Sequence, residues 1–153
     1  MTIWLCKNTW IALKRVSRII TNTSPVIALS MIKKLYLLWE LFEDVYVPMA
    51  VIKELTESPN ELDHGRQEIL NGIQTGKIIP YSVQDEMMVQ SMYGKLHKGE
   101  LETIIGGIEL KIEFVLIDEV AARNMAKNFF LTPIGTLGIL RLAKAQKKIE
   151  ING

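Results

Sequence analysis

Short runs of β-branched and apolar residues alternate along the chain with longer stretches in which apolar positions recur at helical spacing. The runs that predict strands are 18–21, 45–47, 78–83, 114–117 and 132–134. With the helical stretches between them, the predicted order is β-α-α-β-α-α-β-α-α-β-α-β-α. Such alternation is typical of a parallel sheet covered by helices. Right-handed crossovers place helices on both faces, so we expect the α/β class and a three-layer α/β/α sandwich with a mainly parallel central sheet.

Serine, proline and glycine sharpen three of these assignments. Ser24 is a favourable N-cap residue and Pro25 suits the first helical position, so we expect the first helix to begin directly after this pair. Pro80 cannot donate a backbone hydrogen bond, so the third strand is expected either to lie at an edge of the sheet or to be shorter than the pattern suggests. Gly106 and Gly107 fall inside a predicted helix, where each costs about 1 kcal/mol relative to alanine. We therefore expect that helix to pack closely against a neighbour.

Length and composition indicate one ordinary globular domain. The chain has 153 residues, of which 48% are hydrophobic, and a domain of this size needs no disulfide or structural metal to fold. Cys6 is the only cysteine, which excludes an intramolecular disulfide and the paired cysteines of a zinc ribbon. Such a chain is expected in the reducing cytoplasm. No run approaches the ~18 apolar residues of a membrane span, so no membrane partner is expected.

Charge is distributed unevenly around a net value of +1. The charged residues of the first eighteen positions are Lys7, Lys14, Arg15 and Arg18. Here the apolar residues precede the basic ones, the reverse of a signal peptide, so we interpret 1–17 as an N-terminal arm before a domain at 18–150. The remaining chain has 14 basic and 17 acidic residues, a net charge of −3. This balance disfavours a broad basic surface for nucleic acid but allows a cation held by local carboxylates.

Five residues are predicted to gather at one edge of the sheet. Asn22 follows the first strand, and Asp118 and Glu119 follow the fourth. Ligands of open α/β sheets bind at the carboxyl ends of the strands, where these side chains are expected. Two helix residues could join them: Glu54 at the end of its helix and Glu102 in the first turn of another.

Each carboxylate taken alone also has an interpretation without chemistry. Glu54 suits a solvated helix face, and Asp118 could be the N-cap of the next helix. Glu100 and Glu102 could complement a helix dipole, which is worth about 0.3–1 kcal/mol each. Several carboxylates on one edge would repel each other, however, and a bound cation offsets that repulsion. The joint pattern therefore predicts an acidic, metal-binding pocket.

Five short motifs in order carry a family resemblance that covers residues 18–150. They are Ile20-Thr21-Asn22-Thr23-Ser24-Pro25; Val47-Pro48 with Val51 and Glu54-Leu55; Gly99-Glu100 with Glu102; Leu116-Ile117-Asp118-Glu119 with Arg123; and Ile134-Gly135-Thr136 with Gly138. The series resembles the PIN domain superfamily. It is most similar to a PIN-like branch found in prokaryotic toxin–antitoxin-like operons.

The resemblance implies a metal-dependent endoribonuclease that hydrolyses RNA phosphodiester bonds, the toxin component of a toxin–antitoxin pair. PIN domains bind Mg²⁺ or Mn²⁺ through four acidic residues, and a metal-activated water attacks the phosphodiester. By motif, Glu54, Glu102 and Asp118 match three of these acids and are the implied catalytic residues. Asn22 stands at the position of the first acid. The adjacent Glu119 is the alternative to Asp118 as the fourth.

Other implied features concern the surroundings of the metal and the partners. The residues implied to contact substrate or to support the metal ligands are Thr23, Ser24, Glu100 and Thr136. Because Asn22 carries no charge and cannot act as a base, the alternative function is a catalytically weakened PIN-like module that binds RNA or a protein. The implied partners are RNA, a small antitoxin protein and a second copy of the chain in a homodimer. His64 and His97 lack metal-ligand spacing and are interpreted as surface residues.

Overall fold

The computed structural model describes residues 17–57 and 65–146. Over these residues the chain forms the strands β1 (Arg18–Thr21), β2 (Asp44–Pro48), β3 (Ile79–Tyr81), β4 (Phe114–Leu116) and β5 (Thr132–Ile134). The helices are α1 (Thr23–Met31), α2 (Leu37–Leu41), α3 (Met49–Glu57), α4 (Arg66–Gln74), α5 (Glu86–Ser91), α6 (Lys98–Glu109), α7 (Val120–Asn128) and α8 (Thr136–Ala145). Their order along the chain is the one that the hydrophobic pattern predicts.

The strands form one sheet in the order β3-β2-β1-β4-β5, and every neighbouring pair is parallel. Ile19 and Ile20 on the central β1 are both fully buried but belong to different hydrophobic clusters, because successive strand residues point to opposite faces. The first cluster contains side chains from α1, α2 and α8, and the second contains side chains from α6 and α7. The expected α/β class and three-layer sandwich are confirmed.

The strand order creates a crevice beside the centre of the sheet. From β1 the chain adds β2 and β3 on one side, and it then returns to add β4 and β5 on the other. This reversal separates the loop that follows β1 from the loop that follows β4. In open α/β sheets, ligands bind in the crevice that such a reversal leaves at the carboxyl ends of the strands.

Two glycines allow α6 to pack tightly on the sheet. A Cβ added at Gly106 would lie 2.7 Å from Ile20 Cδ1, and one at Gly107 would lie 3.0 Å from Val115 Cγ1. Both distances are too short for ordinary packing, so the close approach expected at this glycine pair is confirmed. As a result the first turns of α6 are buried at the crevice.

The start of α1 differs from the expectation. The helix begins at Thr23, so Ser24 is its second residue and is exposed. Asn22 occupies the N-cap position with extended backbone angles (φ −83°, ψ 174°). The predicted N-cap at Ser24 is therefore wrong. Pro25 still lies within the first turn, where its missing backbone N–H removes no helical hydrogen bond.

Two strands are shorter than predicted, and some expectations fall on residues that are not described. Both effects expected of Pro80 are observed, since β3 is an edge strand and covers only Ile79–Tyr81. Strand β4 ends at Leu116, one residue before the predicted end. Residues 1–16 and 58–64 lie outside the described residues, so the N-terminal arm remains a prediction. Within the described ranges, no helix is long and apolar enough to cross a membrane.

Candidate active site

The crevice between β1 and β4 begins at Asn22. Its backbone N–H donates to Leu116 O at 3.0 Å, which extends the pairing of the two central strands by one residue. Its side chain is only 5% exposed. Asn22 is therefore fixed at the carboxyl edge of the sheet, where the hydrophobic pattern predicts it.

Glu54 and Asn22 approach each other across the start of α6. A Cβ added at Gly99 would lie 3.2 Å from Asn22 Oδ1 and 3.3 Å from Glu54 Oε2. Thr23 Oγ1 donates a hydrogen bond of 2.8 Å to the same Glu54 oxygen. Glu54 itself is exposed, so its position depends on this bond and on the space that a glycine leaves at position 99. Thr23 thus orients the carboxylate of Glu54.

Glu100 is the carboxylate most affected by its surroundings. Its side chain is 4% exposed. Burial raises the pKa of Glu100, and the charges of Glu119 and Glu54 raise it further, whereas His97 lowers it. The charges of both Glu119 and Glu54 thus act on the buried carboxyl group of Glu100.

Glu102 lies on another side of α6. Residues two apart on a helix do not face the same way, and Glu102 Oε1 accepts a hydrogen bond of 3.0 Å from the backbone N–H of Ala50, in the first turn of α3. Its side chain also lines a small cavity of about 60 Å³ together with Lys98 and Glu86. The structure thus places Glu102 at a helix N-terminus and Glu100 among the other acids, although the family motif favours Glu102 as the metal ligand.

Asp118 is engaged by the helix that follows β5. Asp118 Oδ1 accepts from the backbone N–H of Thr136 at 2.7 Å, and Asp118 Oδ2 accepts from Thr136 Oγ1 at 2.6 Å. Glu119, and not Asp118, occupies the N-cap position of α7. The interpretation of Asp118 as the N-cap of the next helix is therefore wrong, because its carboxylate caps α8 instead. The hydroxyl of Thr136, implied to face a ligand, donates to Asp118.

Two clefts open on the acidic residues, and a short basic segment separates them. A cleft of about 390 Å³ is lined by Glu100 and Glu119, and a second of about 470 Å³ is lined by Glu54. His97 and Lys98 line both. His97 is exposed, which confirms its interpretation as a surface residue, but its position beside both clefts was not predicted. The available signal was its place in the sequence, immediately before the Gly99-Glu100 motif.

The donor atoms at this edge have the chemistry that a hard cation requires. Within residues 17–57 and 65–146, no three His, Cys, Asp or Glu side chains are already grouped as a metal site. The Asn22 amide oxygen and Glu54 Oε2 both lie against Gly99, and Glu100 is the next residue. All are oxygen donors, and Mg²⁺ binds through one or two carboxylates while keeping several waters. The residues therefore fit a divalent ion of this type.

Comparison with known proteins agrees with the fold. No curated protein matches the chain. The model of the DUF3368 family, described as a PIN domain, matches residues 18–152. That range includes every strand and helix described above. The chain belongs to the PIN-domain family.

Proposed function

We propose that the protein is a metal-dependent endoribonuclease that hydrolyses RNA phosphodiester bonds. PIN domains are typically nucleases and generally use divalent metal ions, and the family also suggests RNA as the ligand. The observation that carries the proposal is the position of the buried Glu100 at the carboxyl edge of the sheet. It follows Gly99, against which Asn22 and Glu54 lie, and it shares a cleft with Glu119.

Glu54, Glu100 and the Asn22 amide oxygen are the proposed ligands of Mg²⁺ or Mn²⁺, with Glu119 or Asp118 on the β4 side. When bound, the ion would supply an activated water and would stabilise negative charge on the phosphate. The role that the family motif gives to Glu102 passes to Glu100 in this proposal, because Glu102 accepts from Ala50 N–H whereas Glu100 lies in the field of Glu54 and Glu119.

Neighbouring residues hold the proposed ligands in place. The Thr23 hydroxyl donates to Glu54, and Thr136 donates twice to Asp118, so one oxygen of Glu54 and both oxygens of Asp118 are oriented. The second acceptor position of each carboxylate oxygen remains for a ligand. Ser24 lies one residue beyond Thr23 and is exposed at the same helix start, where it could contact substrate.

Asn22 supports a second candidate function. An amide oxygen can coordinate a cation, but it contributes no charge and cannot take up a proton. A chain with three carboxylates in place of four could bind RNA or a protein without cutting, as a catalytically weakened PIN-like module.

The biological setting that we propose is a toxin–antitoxin pair in the cytoplasm. The motif series is most similar to the PIN-like branch from such operons, and both clefts at the acidic edge are open to a covering partner. A small antitoxin protein would inhibit the enzyme by occupying this edge. We also propose a homodimer, and sedimentation of the purified protein alone would test it.

Metal-dependent cleavage tests the proposed function. Wild-type protein should cut RNA internally with Mg²⁺ or Mn²⁺ and should lose this activity in EDTA. Glu54→Gln should reduce cleavage by roughly 100-fold, because it removes a charged oxygen ligand. Glu113→Gln is the matched control. Glu113 is exposed and precedes β4, so it lies at the amino ends of the strands, and its substitution should leave cleavage unchanged.

Two results would count against this proposal. Cleavage that persists in EDTA, or that is equal in wild type and Glu54→Gln, would mean that a contaminating nuclease or another site is responsible. RNA binding without any cleavage, at every metal concentration tried, would favour the non-catalytic module.

A further inference from the structure

The turn between α5 and α6 brings an aromatic ring and two cations to the acidic residues. Tyr93 is 65% exposed, and it lines the 390 Å³ cleft together with Lys95, Lys98, Glu100 and Glu119. Neither Tyr93 nor Lys95 belongs to the motifs that define the family resemblance. Several other large hydrophobic side chains are exposed in the described residues, and Tyr93 is distinguished by its place in this cleft beside two lysines.

The turn holds this arrangement through its own backbone. Tyr93 N–H donates to Gln90 O at 3.2 Å, and Lys95 N–H donates to Met92 O at 3.3 Å. Gly94 between them has φ +95°, a conformation that residues with a side chain rarely adopt. Tyr93 and Leu96 also form an isolated bridge. The ring is therefore presented by an ordered turn, with Leu96 packed against the core beneath it.

The lining of this cleft suits one kind of ligand. Exposed aromatic rings stack on unpaired bases, and lysines close to such rings neutralise the phosphates between the bases. Glu100 and Glu119, which also line the cleft, would repel a phosphate that approached without cations nearby. Lys95 and Lys98 line the same cleft and offset that repulsion.

We infer that this cleft is a nucleotide subsite, in which Tyr93 stacks on an unpaired base of the RNA and Lys95 and Lys98 bind the adjoining phosphate. The inference rests on the proposed function for the identity of the ligand. Tyr93 and the two lysines act as positioning residues: they set which phosphate lies over the carboxylates and leave the reacting atoms to the acidic edge. A base within a duplex is already stacked, so the subsite selects single-stranded segments.

Binding in EDTA tests the subsite separately from cleavage. A fluorescein-labelled single-stranded RNA of twelve nucleotides and the duplex of the same sequence would be titrated, with fluorescence anisotropy as the signal. Tyr93→Ala should weaken binding of the single strand about 5- to 100-fold, the range for loss of one stacked base. Binding of the duplex should change little. Tyr93→Phe, which keeps the ring, should retain the affinity of wild type.

Loss of a lysine should change the salt dependence of RNA binding. Lys98→Ala should reduce the slope of log affinity against log salt by about 0.7, the value for one phosphate contact to a single strand. Lys77→Ala is the matched control, because Lys77 is an exposed lysine that precedes β3 and so lies at the amino ends of the strands. Its salt slope should equal that of wild type. Phe130→Ala, which removes an aromatic ring that is 94% exposed elsewhere, controls for loss of any surface ring.

The inference is overturned if Tyr93→Ala binds the single strand as wild type does, or if it weakens single strand and duplex equally. Loss of affinity in Tyr93→Phe as large as in Tyr93→Ala would also contradict stacking. A wild-type protein that cuts RNA but shows no Tyr93 dependence retains the proposed function and loses the subsite. A protein that never cuts but discriminates single strands through Tyr93 retains the subsite and loses the nuclease.

Discussion

At the scale of single residues, the charge at position 22 determines how strongly this edge of the sheet can attract a cation. Asn22 Oδ1 and Glu54 Oε2 both lie against Gly99, so any charge at position 22 would act directly on Glu54. With asparagine, the metal-free protein avoids one repulsive pair. The expected cost is weaker binding of the divalent ion.

Asn22→Asp should therefore change stability in opposite directions without and with metal. In EDTA the added carboxylate is buried beside Glu54, and the melting temperature should fall by several degrees, since ~1 kcal/mol corresponds to roughly 2–4 °C in a chain of this size. Addition of Mg²⁺ or Mn²⁺ should raise the melting temperature more in the variant than in wild type. Thermal unfolding with and without metal measures both.

A matched substitution separates a local effect from a general effect of charge. Asn71→Asp adds the same charge on the exposed surface of α4 and should show no response to metal beyond that of wild type. Equal responses to metal in Asn22→Asp and Asn71→Asp would show that position 22 does not face the ion.

At the scale of secondary-structure elements, α6 connects the acidic edge to the rest of the molecule. Its N-terminal turn carries Gly99 and Glu100 to Asn22 and Glu54. Its other end carries Glu109, which accepts from Tyr81 Oη at 2.6 Å and from the backbone N–H groups of Gln84 and Asp85. This single carboxylate ties the edge strand β3 and the segment before α5 to the end of α6.

Glu109 gives the fold a defined dependence on pH. Burial alone would raise the pKa of Glu109, but the hydrogen bonds from Tyr81, Gln84 and Asp85 outweigh it, and the pKa is lowered. A lowered pKa in the folded state means that the stabilisation is present above the unfolded value near 4.5 and is lost as the pH falls through the folded value. Desolvation, together with the hydrogen bond to Glu109 and its charge, raises the pKa of Tyr81 to about 12. The Tyr81 hydroxyl therefore stays protonated and donates to Glu109.

Glu109→Gln should lower the free energy of unfolding at pH 7 by about 1 kcal/mol, after allowance for the solvent exposure of these bonds. The difference from wild type should shrink as the pH falls from 4.5, where the unfolded chain takes up a proton, through the lowered pKa of Glu109 in the folded protein. Urea unfolding at several pH values measures this. Glu113→Gln is the control; a difference for Glu109→Gln that stays constant down to pH 3 would contradict the assignment.

At the scale of the whole molecule, the order of the strands brings together residues that are far apart in the sequence. Alternating strand and helix patterns were sufficient to predict a parallel sheet, because each pattern is local. The order β3-β2-β1-β4-β5 was not predictable in this way, since no local pattern states which strands become neighbours. The positions of Asn22, Asp118 and Glu119 followed from strand ends alone and did not require that order.

Hydrophobic periodicity could not predict which of Glu100 and Glu102 faces the crevice. Hydrophobic periodicity identifies the buried face of a helix only when another face is polar. In α6 every residue from Gly99 to Gly107 is buried, so the pattern does not indicate which glutamate faces the crevice. The positions of His97 and Lys98 were missed for a related reason: both are exposed at the start of α6, and their closeness to Glu54 and Glu119 depends on tertiary packing.

Binding of Mn²⁺, followed by isothermal titration calorimetry in the absence of RNA, tests most directly whether this edge of the molecule is a metal site. Wild-type protein should bind Mn²⁺, Glu100→Gln should bind it at least about tenfold more weakly, and Glu102→Gln should bind it within about threefold of wild type. No binding of Mn²⁺ to wild type at millimolar concentration, or loss of binding in Glu102→Gln with none in Glu100→Gln, would contradict this account.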